Sequence, residues 1–168
     1  MKDVIHSLIC RYPQKGILVD TNILLLFLVG SVNPERITKF NRTQQFIPED
    51  YELLLEFLAK FQKLVTTPNI LTEVNSLANQ LGEPERSQCF AIFARFAQNV
   101  TRLNEHYIKS LDAVTVDRFV KFGLTDCGIL TLARGKHLVL TDDLKLTNYL
   151  QSLDIDVINF NNIRIFHW

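Results

Sequence analysis

The sequence predicts an α/β domain of three layers, α/β/α, with helices on both faces of a central, mostly parallel sheet. Three observations carry this. Apolar runs too short for helices, at 17–19, 64–66 and 137–140, alternate with longer stretches of helical periodicity. The first run, Ile17-Leu18-Val19, is apolar throughout rather than alternating, the pattern of a strand buried on both faces and therefore of a parallel sheet. Helix punctuation follows them: Thr67-Pro68, Thr125-Asp126 and Thr141-Asp142 read as starts, and Gly82, Gly123 and Gly135 as stops.

At 168 residues, 47% apolar and 21% charged, the chain suits one folded domain spanning 1–168. A domain of this size buries roughly two-thirds of the surface that its unfolded form exposes. Lys plus Arg and Asp plus Glu are both 18, so the net field does not attract a polyanion, and any nucleic acid must be held by local cations or through metal. The seven-residue apolar run 23–29 is about a third of the roughly 20 residues that span a bilayer, so no membrane partner is expected. Residues 1–13 have helical spacing at Val4, Ile5, Leu8 and Ile9 but no long apolar core or small-residue cleavage site. They read as part of an N-terminal helical extension, 1–15, on a cytoplasmic protein. Cys10, Cys89 and Cys127 lack CxxC spacing and read as reduced, mostly buried thiols rather than a disulfide framework or zinc site.

In chain order, the first strand, at 17–19, ends at Asp20. Residues 31–48 hold two prolines and several polar groups with little periodicity, and read as a loop insertion. From Asp50, the positions Leu53, Leu54, Phe57, Leu58, Phe61 and Leu64 share a helical face and lead into the second strand. Thr67 caps a helix that carries Glu73 and stops at Gly82. Pro84 opens a helix with Cys89, Ile92, Phe93 and Phe96, and a third strand is expected near 100–103. Residues 114–122 read as a helix closed by Gly123, with Thr125 capping a new one whose first turn holds Asp126. A strand at 137–140 precedes the helix begun by Thr141-Asp142-Asp143. The last strand falls at 155–160, and the tail 161–168 is apolar enough to dock.

In open parallel sheets ligands bind beyond the carboxyl ends of the strands, and there the acids gather. Asp20 ends the first strand, Glu73 lies just inside the helix after the second, Asp126 opens a helix, and Asp142 and Asp143 follow the fourth strand. Each acid alone also has a local reading as a solvated or helix first-turn group. Asp20 fits that reading least, because apolar residues surround it and burying an unpartnered charge is expensive. Converging carboxylates repel one another, and a hard divalent cation relieves that. The all-oxygen donor set suits Mg²⁺ or Mn²⁺ rather than zinc. The chain lacks GxSxG, GxGxxG and GxxxxGK[ST], which disfavours acyl transfer, dinucleotide binding and P-loop chemistry. The four histidines fall in no triad-like setting.

Four motifs in order resemble those of PIN domains: Ile17-Leu18-Val19-Asp20-Thr21-Asn22, Thr67-Pro68-Asn69-Ile70-Leu71-Thr72-Glu73, Gly123-Leu124-Thr125-Asp126 and Leu138-Val139-Leu140-Thr141-Asp142-Asp143. The resemblance covers about residues 17–160. It implies a Mg²⁺- or Mn²⁺-dependent endoribonuclease with Asp20, Glu73, Asp126 and Asp143 at the reaction centre. Asp20, Asp126, Asp143 and Asp142 would be around the metal, with Asp143 at the acidic position of the T-x-D motif. Thr21, Asn22, Thr125 and Thr141 would orient those acids.

Many bacterial relatives are toxins of toxin-antitoxin pairs, so RNA, an antitoxin protein and a second copy of the chain, as a homodimer, are the partners this implies. The leading extension and the 31–48 insertion depart from the compact toxin type. Phosphate contacts are expected from Arg36, Lys39 and Arg42 in that insertion and from Lys145. The alternative is a PIN-like module that binds RNA or protein without cutting. Phosphatase chemistry of the haloacid-dehalogenase type is disfavoured because Asn22 breaks its DxD pattern.

Overall fold

A computed structural model describes residues 2–167, so Met1 and Trp168 of the predicted termini, and the side chains of Lys2, Phe166 and His167, lie outside the described residues. Strands β1 (Ile17–Val19), β2 (Leu64–Thr66), β3 (Leu103–Glu105), β4 (Leu138–Thr141) and β5 (Val157–Asn159) form one sheet in the order β3-β2-β1-β4-β5. Every pairing is parallel, with Ile17 level with both Leu64 and Leu138. The chain steps outward from β1 to β2 and β3, then crosses back to add β4 and β5 on the other side. The topological switch point, where such sheets bind ligands, therefore lies between β1 and β4.

The connections are helical: α1 (Lys2–Arg11) leads, and α2 (Thr21–Val32) and α3 (Pro48–Leu58) join β1 to β2. Then α4 (Pro68–Ala78) and α5 (Glu85–Gln98) join β2 to β3, and α6 (Ser110–Val114) and α7 (Phe119–Ala133) join β3 to β4. Last, α8 (Leu144–Ser152) joins β4 to β5, and α9 (Phe160–His167) follows. Helical crossovers in this order flank the sheet, giving the three-layer α/β/α architecture, as the usual right-handed connection of parallel strands requires.

At the centre is α2, whose Ile23, Leu24, Leu25, Leu26, Leu28 and Val29 are all at most 2% exposed. The sheet and helices α3, α4 and α5 surround it. A helix enclosed on all sides is apolar on all sides, so it shows no amphipathic period, and the 23–29 run gave no helical signal.

The expected loop at 31–48 is corrected. Ser31 and Val32 finish α2, Pro34–Lys39 is a 3₁₀ helix, and Ile37, Phe40, Thr43 and Phe46 are buried. Those four are spaced by threes, the repeat of a 3₁₀ turn, which an α or β template overlooks. Similarly, the helix expected over 114–122 is two pieces: α6 ends at Val114 and Arg118 adopts a left-handed φ of 66° before α7 begins. Within α7, Gly123 at φ 76° and ψ −173° breaks the helical path, a conformation glycine adopts without a Cβ clash. The cap therefore falls on Gly123 rather than Thr125, and Asp126 remains in the first turn after the break. The third strand sits at 103–105, and Val100 is 78% exposed.

Gly30 lets α3 approach α2. A Cβ there would stand 2.3 Å from Cδ2 of Tyr51, whose hydroxyl pairs with Ser31 Oγ at 3.1 Å. Alanine at a helix interior ordinarily stabilises by about 1 kcal/mol relative to glycine, whereas overpacking costs about 1–3 kcal/mol. We expect the clash to win, so that Gly30→Ala lowers the urea midpoint; a raised midpoint would show that α3 yields freely.

Candidate active site

Asp20 leaves β1 at the switch point. Its N–H donates to the Leu140 carbonyl of β4 at 3.0 Å, extending the ladder by one residue, and its side chain caps α2. Oδ1 accepts the Thr21 N–H at 2.6 Å and Oδ2 accepts the Thr141 hydroxyl at 2.6 Å. The residue is 6% exposed. Burial raises its pKa to about 6, against the lowering effect of those two bonds, and the charges of Asp142 and Glu73 push it in the same direction as burial.

Asp126 is half-buried at the start of the second part of α7, and among the described residues its carboxylate has no hydrogen-bond partner. Burial, followed by the charges of Asp20, Asp143 and Glu73, raises its pKa to about 8. Mutual repulsion thus links Asp20, Glu73, Asp126, Asp142 and Asp143, which come from β1, α4, α7 and the β4–α8 turn. The fold brings all five predicted acids to one edge.

Neighbouring polar groups hold them there. The Thr21 hydroxyl donates to Glu73 Oε2 at 3.1 Å, tying α2 to α4, and Asn22 Nδ2 donates to Asp142 Oδ1 at 3.1 Å. Asn161, which sequence reasoning missed, donates through Nδ2 to the Asp142 carbonyl at 3.1 Å. Asp143 caps α8, its Oδ1 accepting the Lys145 N–H at 2.5 Å and the Leu146 N–H at 3.0 Å, while its own N–H donates to Thr141 Oγ1 at 3.0 Å. Thr141 therefore links Asp20 to the Asp143 turn. Thr125 makes no such bond among the described residues.

The expected cations divide. Lys145 is exposed beside the acids on α8. Arg36 and Lys39 follow the far end of α2, twelve residues long, so about 18 Å of helix separates them from Asp20. Arg36 faces Glu85 at 4.0 Å, and Arg42 Nε donates to Gln80, beyond the far end of α4, at 2.9 Å. The fold does not bring this trio to the acids. Lys121 lies in the first part of α7, before the Gly123 break that separates it from Asp126, 5.0 Å from the Phe122 ring centroid, and Phe122 stacks on Tyr149 at 4.8 Å. No pattern around Lys121 marked it in the sequence.

Asp50 shows what a structural acid looks like here. It is 0% exposed, accepts the Ile47 N–H at 2.9 Å and Arg164 Nε at 2.8 Å, and so has its charge met locally. Asp126 does not.

The donors fit a hard cation: they are all carboxylate oxygens, and both shifted acids are destabilised by negative charge at this edge. Among the described residues no three His, Cys, Asp or Glu side chains already enclose one point at ligand distances. Mg²⁺ does not require that, since it commonly keeps several waters and takes one or two carboxylates. The chain matches no protein-family model and no curated protein.

Unfolded, both acids ionise near pH 3.9. Folded, Asp126 keeps its proton up to about 8. Between these values the folded chain binds more protons than the unfolded one, so stability falls as pH rises. His137, whose pKa burial lowers, acts oppositely below its ordinary value of 6.5. We therefore expect calorimetry in EDTA to give a lower Tm at about pH 8.5 than at about 6.5, and Asp126→Asn to remove much of the drop. An Asp126→Asn variant that melts well below the parent at the higher pH would mean that the carboxylate stabilises the fold.

Proposed function

We propose that the chain is a divalent-metal-dependent endoribonuclease that hydrolyses RNA phosphodiesters at this acidic edge. The observation that carries the proposal is Asp126. It is a half-buried carboxylate without a hydrogen-bond partner among the described residues, facing the charges of Asp20, Glu73 and Asp143. Structure alone gives no reason to gather these charges, whereas a polyanionic reaction centre that takes Mg²⁺ or Mn²⁺ does. Such an ion, when bound, supplies activation of water and offsets the charge that develops on phosphorus oxygens.

The chain's residues have separate tasks in this reading. Asp20 and Asp126 are the principal anionic ligands. Asp20 is oriented by Thr141 and Thr21, so that its lone pairs are set before an ion arrives. Glu73, exposed and held by Thr21, takes or directs the proton of the attacking water. Asp142, anchored by Asn22, and Asp143, whose Oδ2 is left free by the cap, complete the negative field. Lys145, exposed next to the Asp143 cap, supplies local positive charge that the neutral chain lacks as a whole.

Three measurements test this. Purified chain incubated with mixed RNAs should cleave with Mn²⁺ and stop with EDTA; binding to RNA with no cleavage under any divalent ion would favour the non-cutting module. Asp20→Asn and Asp126→Asn should fold, lose most of the Tm gain that Mn²⁺ gives the parent, and lose cleavage, so Mn²⁺-dependent cleavage retained by either would remove that residue from the site. Asn caps a helix about as well as Asp. Asp143→Asn should therefore leave the unfolding free energy from urea titration within about 0.5 kcal/mol of the parent while lowering cleavage more than Asp142→Asn does, and the reverse ranking would move the fourth acid to Asp142.

A further inference from the structure

A groove of about 290 Å³ opens beside the acidic edge, lined by Pro68, Leu71, Thr72, Asn75, Phe93 and Glu105. We infer that it is a subsite for one unpaired base of the RNA and that it selects guanine. The inference rests on the ribonuclease reading above for the polymer that delivers the base.

Pro68, Leu71, Thr72 and Asn75 stand at i, i+3, i+4 and i+7 on α4, one face of the helix. Thr72 directly precedes Glu73, so the groove wall and an acid of the site share a helical turn. Glu105 ends β3 opposite Thr66 of β2. With strands about 4.8 Å apart, β3 lies roughly 10 Å from β1, which ends at Asp20. A nucleotide next to the scissile phosphate, or one further on, spans such a distance. The volume is at the lower limit of small-molecule pockets, roughly 300 Å³, enough for a single flat ring system.

The lining reads the base. Half-buried Pro68, Leu71 and Phe93 present apolar surface, including one aromatic ring, to a base face, as single-stranded RNA sites do. Thr72, Asn75 and Glu105 are exposed at the rim, and among the described residues the Glu105 carboxylate has neither a hydrogen bond nor an ion pair. A carboxylate only accepts. Guanine alone offers two adjacent N–H donors, N1–H and the 2-amino group, on its Watson–Crick edge, and these match the two oxygens. Adenine and cytosine place a ring-nitrogen acceptor beside their amino group, and uracil flanks its N3–H with two carbonyls. Each of those sets a lone pair against a carboxylate oxygen. The same negative charge repels phosphates, so Glu105 disfavours RNA that cannot supply the paired donors. The carboxylate thus confers selectivity rather than general affinity.

The test separates binding from cutting. Fluorescence anisotropy in EDTA compares labelled heptauridylate with heptamers carrying one central G, A or C. The full-length parent should bind the G heptamer about 10-fold more tightly than the A or C heptamer, the size expected of one bidentate contact. Glu105→Gln, at an exposed strand end, should bring the G preference to within about 2-fold while raising heptauridylate affinity, because the repelling charge is gone, and Phe93→Ala should weaken the G heptamer. An equal affinity for all heptamers, no binding to any, or a preference that survives Glu105→Gln overturns the subsite. Cleavage with Mn²⁺ but no guanine preference would reject the subsite and leave the nuclease standing. Guanine-selective binding without cleavage would do the opposite.

Discussion

A carboxylate removed from water must be met by hydrogen bonds, by a cation or by a proton, and the way this chain meets Asp20 organises its carboxyl edge. One oxygen of Asp20 is taken by the helix that Asp20 itself begins, and the other by Thr141 at the end of the adjacent strand. The second bond requires β4 to lie directly beside β1, which the order β3-β2-β1-β4-β5 provides. The same Thr141 oxygen accepts the Asp143 N–H, so the turn that carries Asp142 and Asp143 is set by the group that sets Asp20. The Thr141 hydroxyl thus ties the end of β1 to the β4–α8 turn, within a register that the backbone ladder sets.

Acids in this chain divide according to how their charge is completed. Asp50 is more buried than Asp20, yet Arg164 and the Ile47 amide complete it, and it joins α9 to α3. Asp126 has no such partner among the described residues and tolerates its surroundings by binding a proton more tightly. That is a cost to the folded chain, and a bound divalent ion would remove it. Burial alone thus distinguishes these acids poorly; what separates Asp50 from Asp126 is whether the fold supplies the counter-charge.

Much of this was legible because local chemistry marks itself. Apolar triplets ending in Asp or Thr marked β1, β2 and β4. Thr67-Pro68 marked the start of α4, with the Thr67 hydroxyl accepting the Ile70 N–H at 3.3 Å. Hidden features had non-local causes. The enclosure of α2 erased its periodicity, and a 3₁₀ spacing disguised Ile37, Phe40 and Phe46 as loop residues. Arg36 and Arg42 looked close to the site because they follow Asp20 in sequence, but a helix of about 18 Å carries the chain to the opposite edge of the sheet before they occur. Phe93 and Glu105 lie on α5 and β3, the next two elements after α4, so their meeting with α4 depends on how the helices pack and where β3 pairs, which no single motif contains.

The proposed task of the negative charge gathered at this edge is to hold a divalent cation. Isothermal titration of Mn²⁺ into metal-free protein at about pH 7, repeated in buffers of different ionisation enthalpy, tests it most directly, because an ion must displace whatever proton an acid retains. With Asp126 raised to about 8, binding should release about one proton per chain, and Asp126→Asn should abolish that release. Mn²⁺ binding that is absent, or that is independent of buffer and unchanged in Asp126→Asn, would contradict the account.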